Sequence, residues 1–167
     1  KYTMKLEQGW NFVSIPLTNK TITTAQSLAS AIGENCSAIS YWNNSLGRFI
    51  THVKGSGISN FDIESGMGYF VHVTDSTLFT LTGFPFVSKD MYLKVGWNSI
   101  GWFNDMPISA EVLIKDIGIN CMNMARWNYS LQKFVLYPVG TGISDFKVRC
   151  GCGYLVYVTK ETEWVNG

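Results

Sequence analysis

Along most of the chain, apolar and polar residues alternate in short runs, the period of a half-buried β-strand. Met4-Lys5-Leu6 and Tyr92-Leu93-Lys94-Val95 are such runs, and Trp10 to Ile15 and Trp97 to Trp102 are two more. A tight turn at Gln8-Gly9, and another at Val95-Gly96, predicts that each pair of runs folds as a β-hairpin. Ala38 to Trp42 and Phe49 to Val53 predict a second hairpin, closed by Asn43-Asn44-Ser45-Leu46-Gly47. Asn and Gly there supply the unusual backbone angles of a turn, and Asn128-Tyr129-Ser130-Leu131-Gln132 recurs in the same role. The strongest strands are Gly68 to Val73 and Gly153 to Val158, each opening on a glycine that suits a bend or bulge. Leu78 to Leu81 and Glu163 to Val165 add a closing strand to each set. A helical period occurs twice. Thr23 to Ile32 starts on a threonine cap and ends at Gly33, and Ser109 to Ile117 ends at Gly118.

These elements come in two matching sets. Ile32–Thr74 and Ile117–Thr159 align without gaps at an offset of 85, and 20 of the 43 pairs are identical, against about three for unrelated sequences. Gly9-Trp10-Asn11 matches Gly96-Trp97-Asn98 at an offset of 87, so two residues are lost from the polar loop near Thr18 to Thr21. The reading is a mainly β chain, α+β at the margin, made of two tandem homologous antiparallel modules, 1–83 and 84–167. Each has about six strands and one short helix. Gly83-Phe84-Pro85-Phe86 joins them, too short and apolar for a free linker, so the modules should pack together in a pseudo-two-fold relation.

The 46% hydrophobic and 14% aromatic content supplies a packed core. A net charge of +1, with Lys and Arg dispersed, gives no electrostatic footprint for nucleic acid. No run approaches the roughly 20 apolar residues of a membrane span. The sequence starts at Lys1 without an initiator Met, as expected of an excised or processed fragment.

A duplication tests candidate chemistry, because a catalytic group needed once should break the repeat. The histidines, His52 and His72, align with Tyr137 and Tyr157. That exchange keeps a flat amphipathic ring and discards the base, so packing at a surface or edge is expected. Asp62 aligns with Lys147, Glu64 with Arg149 and Glu34 with Ile119, the pattern of a solvated surface. Asp105, Asp116 and Asp145 would need folding to bring them together, whereas glycoside hydrolysis requires two placed carboxylates. Gly55-Ser56-Gly57 lacks the spacing of either nucleotide-binding loop and reads as a turn. Cys36, Cys121, Cys150 and Cys152 contain no C-x2-C pair; three states stay open, namely buried thiols, one or two disulfides, or a metal site. No cofactor is implied. Asn19, Asn35, Asn43 and Asn128 head N-glycosylation sequons that coincide with turns, a weak pointer to an exterior location. Trp42 and Trp127, with Asn43 and Asn128 beside them, are the candidate ligand-binding residues: the rings suit stacking on a sugar and the amides suit its hydroxyls. Inter-module packing is the competing role for the same rings.

Gly9-Trp10-Asn11-Phe12-Val13-Ser14-Ile15-Pro16, followed by a helix, a tryptophan-bearing hairpin and Gly66-Met67-Gly68-Tyr69-Phe70-Val71-His72-Val73, resembles a repeat of large secreted or surface-anchored bacterial and archaeal proteins. Gly96-Trp97-Asn98 and Gly151-Cys152-Gly153-Tyr154-Leu155-Val156-Tyr157-Val158 carry it again. The second copy departs from the pattern in lacking the proline, and the cysteines are unusual for such repeats. The resemblance implies an accessory, non-enzymatic module, structural or adhesive, in a larger extracellular or cell-surface protein. Its implied partners are other domains of the same polypeptide and a glycan or cell-surface protein. Carbohydrate binding by aromatic stacking is the alternative, and a hydrolase assembled only by folding is the second alternative.

Overall fold

The computed structural model describes all 167 residues. The first half runs β1 (Tyr2–Leu6), β2 (Gly9–Ser14), β3 (Leu17–Thr18), α1 (Ala25–Ile32), β4 (Cys36–Asn43), β5 (Arg48–Val53), β6 (Gly68–Val73) and β7 (Thr77–Leu81). After β8 (Phe84–Pro85) come β9 (Lys89–Leu93), β10 (Gly96–Gly101), β11 (Ile108–Ser109), α2 (Ala110–Ile117), β12 (Cys121–Asn128), β13 (Lys133–Pro138), β14 (Lys147–Val148), β15 (Gly153–Val158) and β16 (Thr162–Asn166). The protein is mainly β, and every ladder is antiparallel.

Each half builds its own four-stranded sheet, in the orders β2-β6-β4-β5 and β10-β15-β12-β13. The register repeats as well: Gly9 pairs with Val73 and Gly96 with Val158, and the ladder slips between Cys36 and Ala38 as it does between Cys121 and Asn123. Strand alternation gives each sheet two apolar faces. One face of the first sheet packs Val13, Ile39, Val71 and Val73 against Leu28 and Ile32 of α1 and Leu6 of β1. The second sheet sets Ile100, Met124, Val156 and Val158 against Leu113 and Ile117 of α2. The opposite faces meet through Phe12, Phe70, Ala125 and Leu155. The layers therefore run helix, sheet, sheet, helix, with an aromatic layer in the middle.

The hairpin expected from β1 and β2 does not form. β1 pairs with β7 and β9 with β16, while β2 and β10 join the main sheets. The G-W-N segment explains the difference. Gly9 and Gly96 take φ +100, a left-handed angle that turns the chain out of one ladder and into another. The asparagine then staples the bend: Asn11 Oδ1 accepts from Glu7 N–H at 2.9 Å, and its Nδ2 donates to Glu7 O at 2.8 Å. Asn98 makes the same pair of bonds with Lys94. The expected β4–β5 hairpin and both helices are present. Thr24 caps α1, its hydroxyl accepting from Ser27 N–H, and Ser109 caps α2 in the same way through Val112 N–H.

The sheets are joined by a seam in which the main chains touch. Ser14 N–H donates to Gly151 O at 2.9 Å and, reciprocally, Gly101 N–H donates to Gly66 O at 2.8 Å. The buried hydroxyls of Ser14 and Ser99 donate to Trp102 O and Gly68 O. A Cβ on Gly101 would lie 2.4 Å from the Ser14 Cβ, so the seam has room for one side chain at that point. β8, just past residue 83, pairs back onto β3 in the first half.

Candidate functional site

The tryptophans that close the seam are those singled out by the sequence. Trp42 Nε1–H donates to Trp97 O at 2.7 Å, and Trp127 Nε1–H donates to Trp10 O at 2.8 Å. Each indole thus reaches out of its own sheet to the G-W-N carbonyl of the other half. A neighbouring amide backs up each bond, Asn44 Nδ2 on Trp97 O and Gln132 Nε2 on Trp10 O. The polar edge of both indoles is committed to packing, while the rings stay half-buried. Asn43 and Asn128 follow them at the ends of β4 and β12. Their side-chain carbonyls accept from Leu46 N–H and Leu131 N–H and hold the hairpin turns.

The two rings line separate hollows. Trp127 borders an open aromatic hollow of about 310 Å³, with Trp10, Phe49, Phe70 and Phe134 as walls and the Ser40 and Thr51 hydroxyls at one side. Those hydroxyls bond each other at 2.6 Å. Trp42 belongs to a groove beside the seam, and Trp127 also borders the groove at the equivalent place in the other half.

The two seam grooves are built on matching positions with opposite charge. The first, about 230 Å³, contains Tyr41, Phe61, Asp62 and Glu64 over Tyr69. The second, about 600 Å³, contains Arg126, Phe146, Lys147 and Arg149 over Tyr154, and Lys5 reaches it from β1. Tyr41 leans on the Phe61 ring at 4.6 Å, and in the other half the Arg126 guanidinium lies 5.7 Å over Phe146. The floors match too, since Phe61 stacks on Tyr69 as Phe146 stacks on Tyr154. Across the seam the partners differ. Lys89 packs on Gly66 and pairs with Glu64 at 3.1 Å. Its counterpart Tyr2 packs on Gly151 and donates to Cys150 O at 2.6 Å, bringing no carboxylate to Arg149. Burial pushes the Tyr2 and Tyr154 phenols and the Cys152 thiol above their ordinary ranges, so they are neutral at pH 7. The charges lining the second groove are those of its four cations.

Of the surface or edge places expected from its exchange for tyrosine, His52 takes the edge: it is fully buried on β5, the edge strand of the first sheet. Its Nδ1 is 2.9 Å from Ile58 O and its Nε2 is 2.8 Å from Gln26 Oε1 on α1, an oxygen that also accepts from Gly55 N–H. Tyr137 occupies the same position in the second half, with its hydroxyl donating to Glu111, which also accepts from Gly140 N–H. Both rings latch a helix start to an edge strand. His72 is half-buried, bonded to the Ser37 hydroxyl at 2.6 Å and leaning on Trp10. All four cysteines are free thiols. Burial raises Cys36 to about 11 and Cys121 to about 12, and raises Cys150 to about 11 with help from Asp105. No cluster of three or more His, Cys, Asp or Glu side chains suited to a metal ion is present, and no helix is long and apolar enough to cross a membrane.

No family model matches the chain, and neither a curated protein nor a solved structure matches it.

Proposed function

We propose that the chain is a non-catalytic structural or adhesive module of a larger extracellular or cell-surface protein. The seam is the observation that carries this reading. Reciprocal indole donors, buried serine hydroxyls and main-chain bonds all serve to make two sheets one rigid body. The side chains best suited to nucleophilic or base chemistry are engaged in that framework: both histidines hold structural contacts, and burial raises the thiols, which lowers their thiolate fraction and nucleophilicity. The resemblance of the G-W-N and G-x-G-Y segments to repeats of surface-anchored proteins supplies the setting, with other domains of the same polypeptide as first partners. Antibody labelling of intact and permeabilised source cells tests the location: signal on intact cells is expected, and signal only after permeabilisation overturns it. A panel of chromogenic ester, glycoside and peptide substrates tests the chemistry. Turnover that survives repurification and is lost in His52→Gln overturns the non-catalytic reading.

Carbohydrate binding is the second reading, favoured by the open hollow walled by Trp10, Phe49, Phe70, Trp127 and Phe134. Flat ring faces beside two hydroxyls suit a pyranose. On a neutral glycan array, binding lost in Phe134→Ala, with the thermal midpoint measured alongside, supports it. Absence of any neutral glycan hit removes it.

A further inference from the structure

In the first seam groove Lys89 answers Glu64, whereas three cations of the second groove have no ion-pair partner. Three ion pairs exist in the molecule, Lys5–Glu7, Lys89–Glu64 and Lys115–Glu111, and none of them takes Arg126, Lys147 or Arg149. All three cations line the same concavity, whose lining includes no carboxylate. Like charges gathered in one cleft focus a positive potential and raise the local concentration of anions. The volume of about 600 Å³ falls in the range of small-ligand clefts. Its walls also carry the rings of Tyr2, Trp127 and Phe146, and the Arg126 guanidinium is steadied over Phe146. Guanidinium forks match carboxylate and sulfate oxygens two at a time, and flat rings match the C–H face of a sugar.

We infer that the second-half groove binds an acidic saccharide, its carboxylate or sulfate groups held by Arg126, Lys147 and Arg149 and its rings lying against Tyr2 and Trp127. The inference deepens the adhesive reading by naming a ligand class, and rests on that reading only for its biological setting. A saccharide is favoured over a nucleic acid because the cleft gathers only four of the chain's 13 lysines and arginines and the net charge is +1, too small a basic face to track a phosphate backbone.

Native affinity electrophoresis of the full chain tests this, in gels containing polygalacturonate, dextran sulfate or neutral dextran. Retardation by either acidic polymer and not by neutral dextran is expected; polygalacturonate alone assigns carboxylate as the recognised group, and dextran sulfate alone assigns sulfate. Lys147→Asp with Arg149→Glu copies the charges that Asp62 and Glu64 already carry in the first groove. That variant should lose about tenfold or more in affinity with its thermal midpoint preserved, and Arg149→Gln alone should move the same way. Lys20→Asp with Lys160→Glu makes the same change in net charge outside the groove and should leave retardation as in the wild type. The inference is overturned if neither acidic polymer retards the protein, if the groove variant migrates like the wild type, if the control variant loses as much, or if oligothymidylate binds more tightly than both polymers. Failure of both polymers, with the label still on intact cells and no turnover, removes the ligand and leaves the structural module standing.

Discussion

The first and second halves solve the same packing problem with different chemistry. At the latch between the helix start and the edge strand, one uses His52 against Gln26 and the other Tyr137 against Glu111. At the seam groove, one carries Asp62 and Glu64 and the other Lys147 and Arg149. What does not vary is the bend, the caps, the bulge and the indole that crosses the seam. Geometry tolerates exchange of a side chain's charge where water or a matched partner can answer it. It does not tolerate exchange where main chains touch.

Glycine substitutions at matching positions are the strongest way to break the comparison. A Cβ at Gly68 would lie 2.7 Å from Ser99 Oγ and 2.8 Å from Ile100 O, whereas at Gly153 the nearest atoms, on Phe12 and Val13, are 3.0 Å away. Gly68→Ala should cost about 3 kcal/mol and Gly153→Ala about 1 kcal/mol, with thermal midpoints falling by roughly 6–12 °C and 2–4 °C. Equal losses in calorimetry would mean that the seam is not asymmetric. Next in size are the latches. His52→Phe takes a fully buried polar ring away from two oxygens, Ile58 O and Gln26 Oε1, and Tyr137→Phe takes one donor from Glu111, so the expected losses are about 2 and about 1 kcal/mol. Urea midpoints in which Tyr137→Phe is the worse variant would contradict the geometry.

The crossing indoles should behave alike. Trp42→Phe and Trp127→Phe each remove one donor from a carbonyl that keeps a second, from Asn44 or Gln132. About 1 kcal/mol is expected for each, and a difference of more than that between them would show that the reciprocity is only apparent. The smallest effect near neutrality is that of the buried thiols. Cys36, near Lys54, sits at about 11 and Cys121 at about 12. Both are raised in the folded state, so their contribution to stability is whole below about pH 8.5 and is lost as the pH climbs through those values. Iodoacetamide trapping read by mass spectrometry should label Cys36 before Cys121 as pH rises; the reverse order would contradict the placement of Lys54.

Much of this architecture is written in local patterns. The period-two runs, the Asn-rich hairpin turns and the glycine-terminated helices all appear where the spacing predicts them, because each depends on residues close in sequence. The pairing of β1 was not legible, since its partner lies more than 70 residues away and a glycine before a strand looks like a hairpin turn. Asn11 and Asn98 looked like polar residues on strands, and their repetition was the one signal that they hold a bend. The exchange of His52 for tyrosine points to packing at a surface or an edge, and the edge is where both rings sit; that they are buried there and reach a helix is not visible in the exchange. The exchange of Asp62 and Glu64 for Lys147 and Arg149 is plain in the alignment. It read as solvated surface because only the fold reveals that these positions share a groove with Trp42 and Trp127. For those two indoles the paired positions at strand ends favour packing over stacking, and the direction of the ring N–H is a tertiary fact.

The first and last strands both finish at the seam. The Tyr2 hydroxyl bonds Cys150 O, and the Asn166 amide donates to Gly101 O, two stations along the same line of crossing main chains. A polypeptide that arrives at Tyr2 and departs at Asn166 therefore has both its entry and its exit moored to the joint between the sheets, and a pull on either end is borne there.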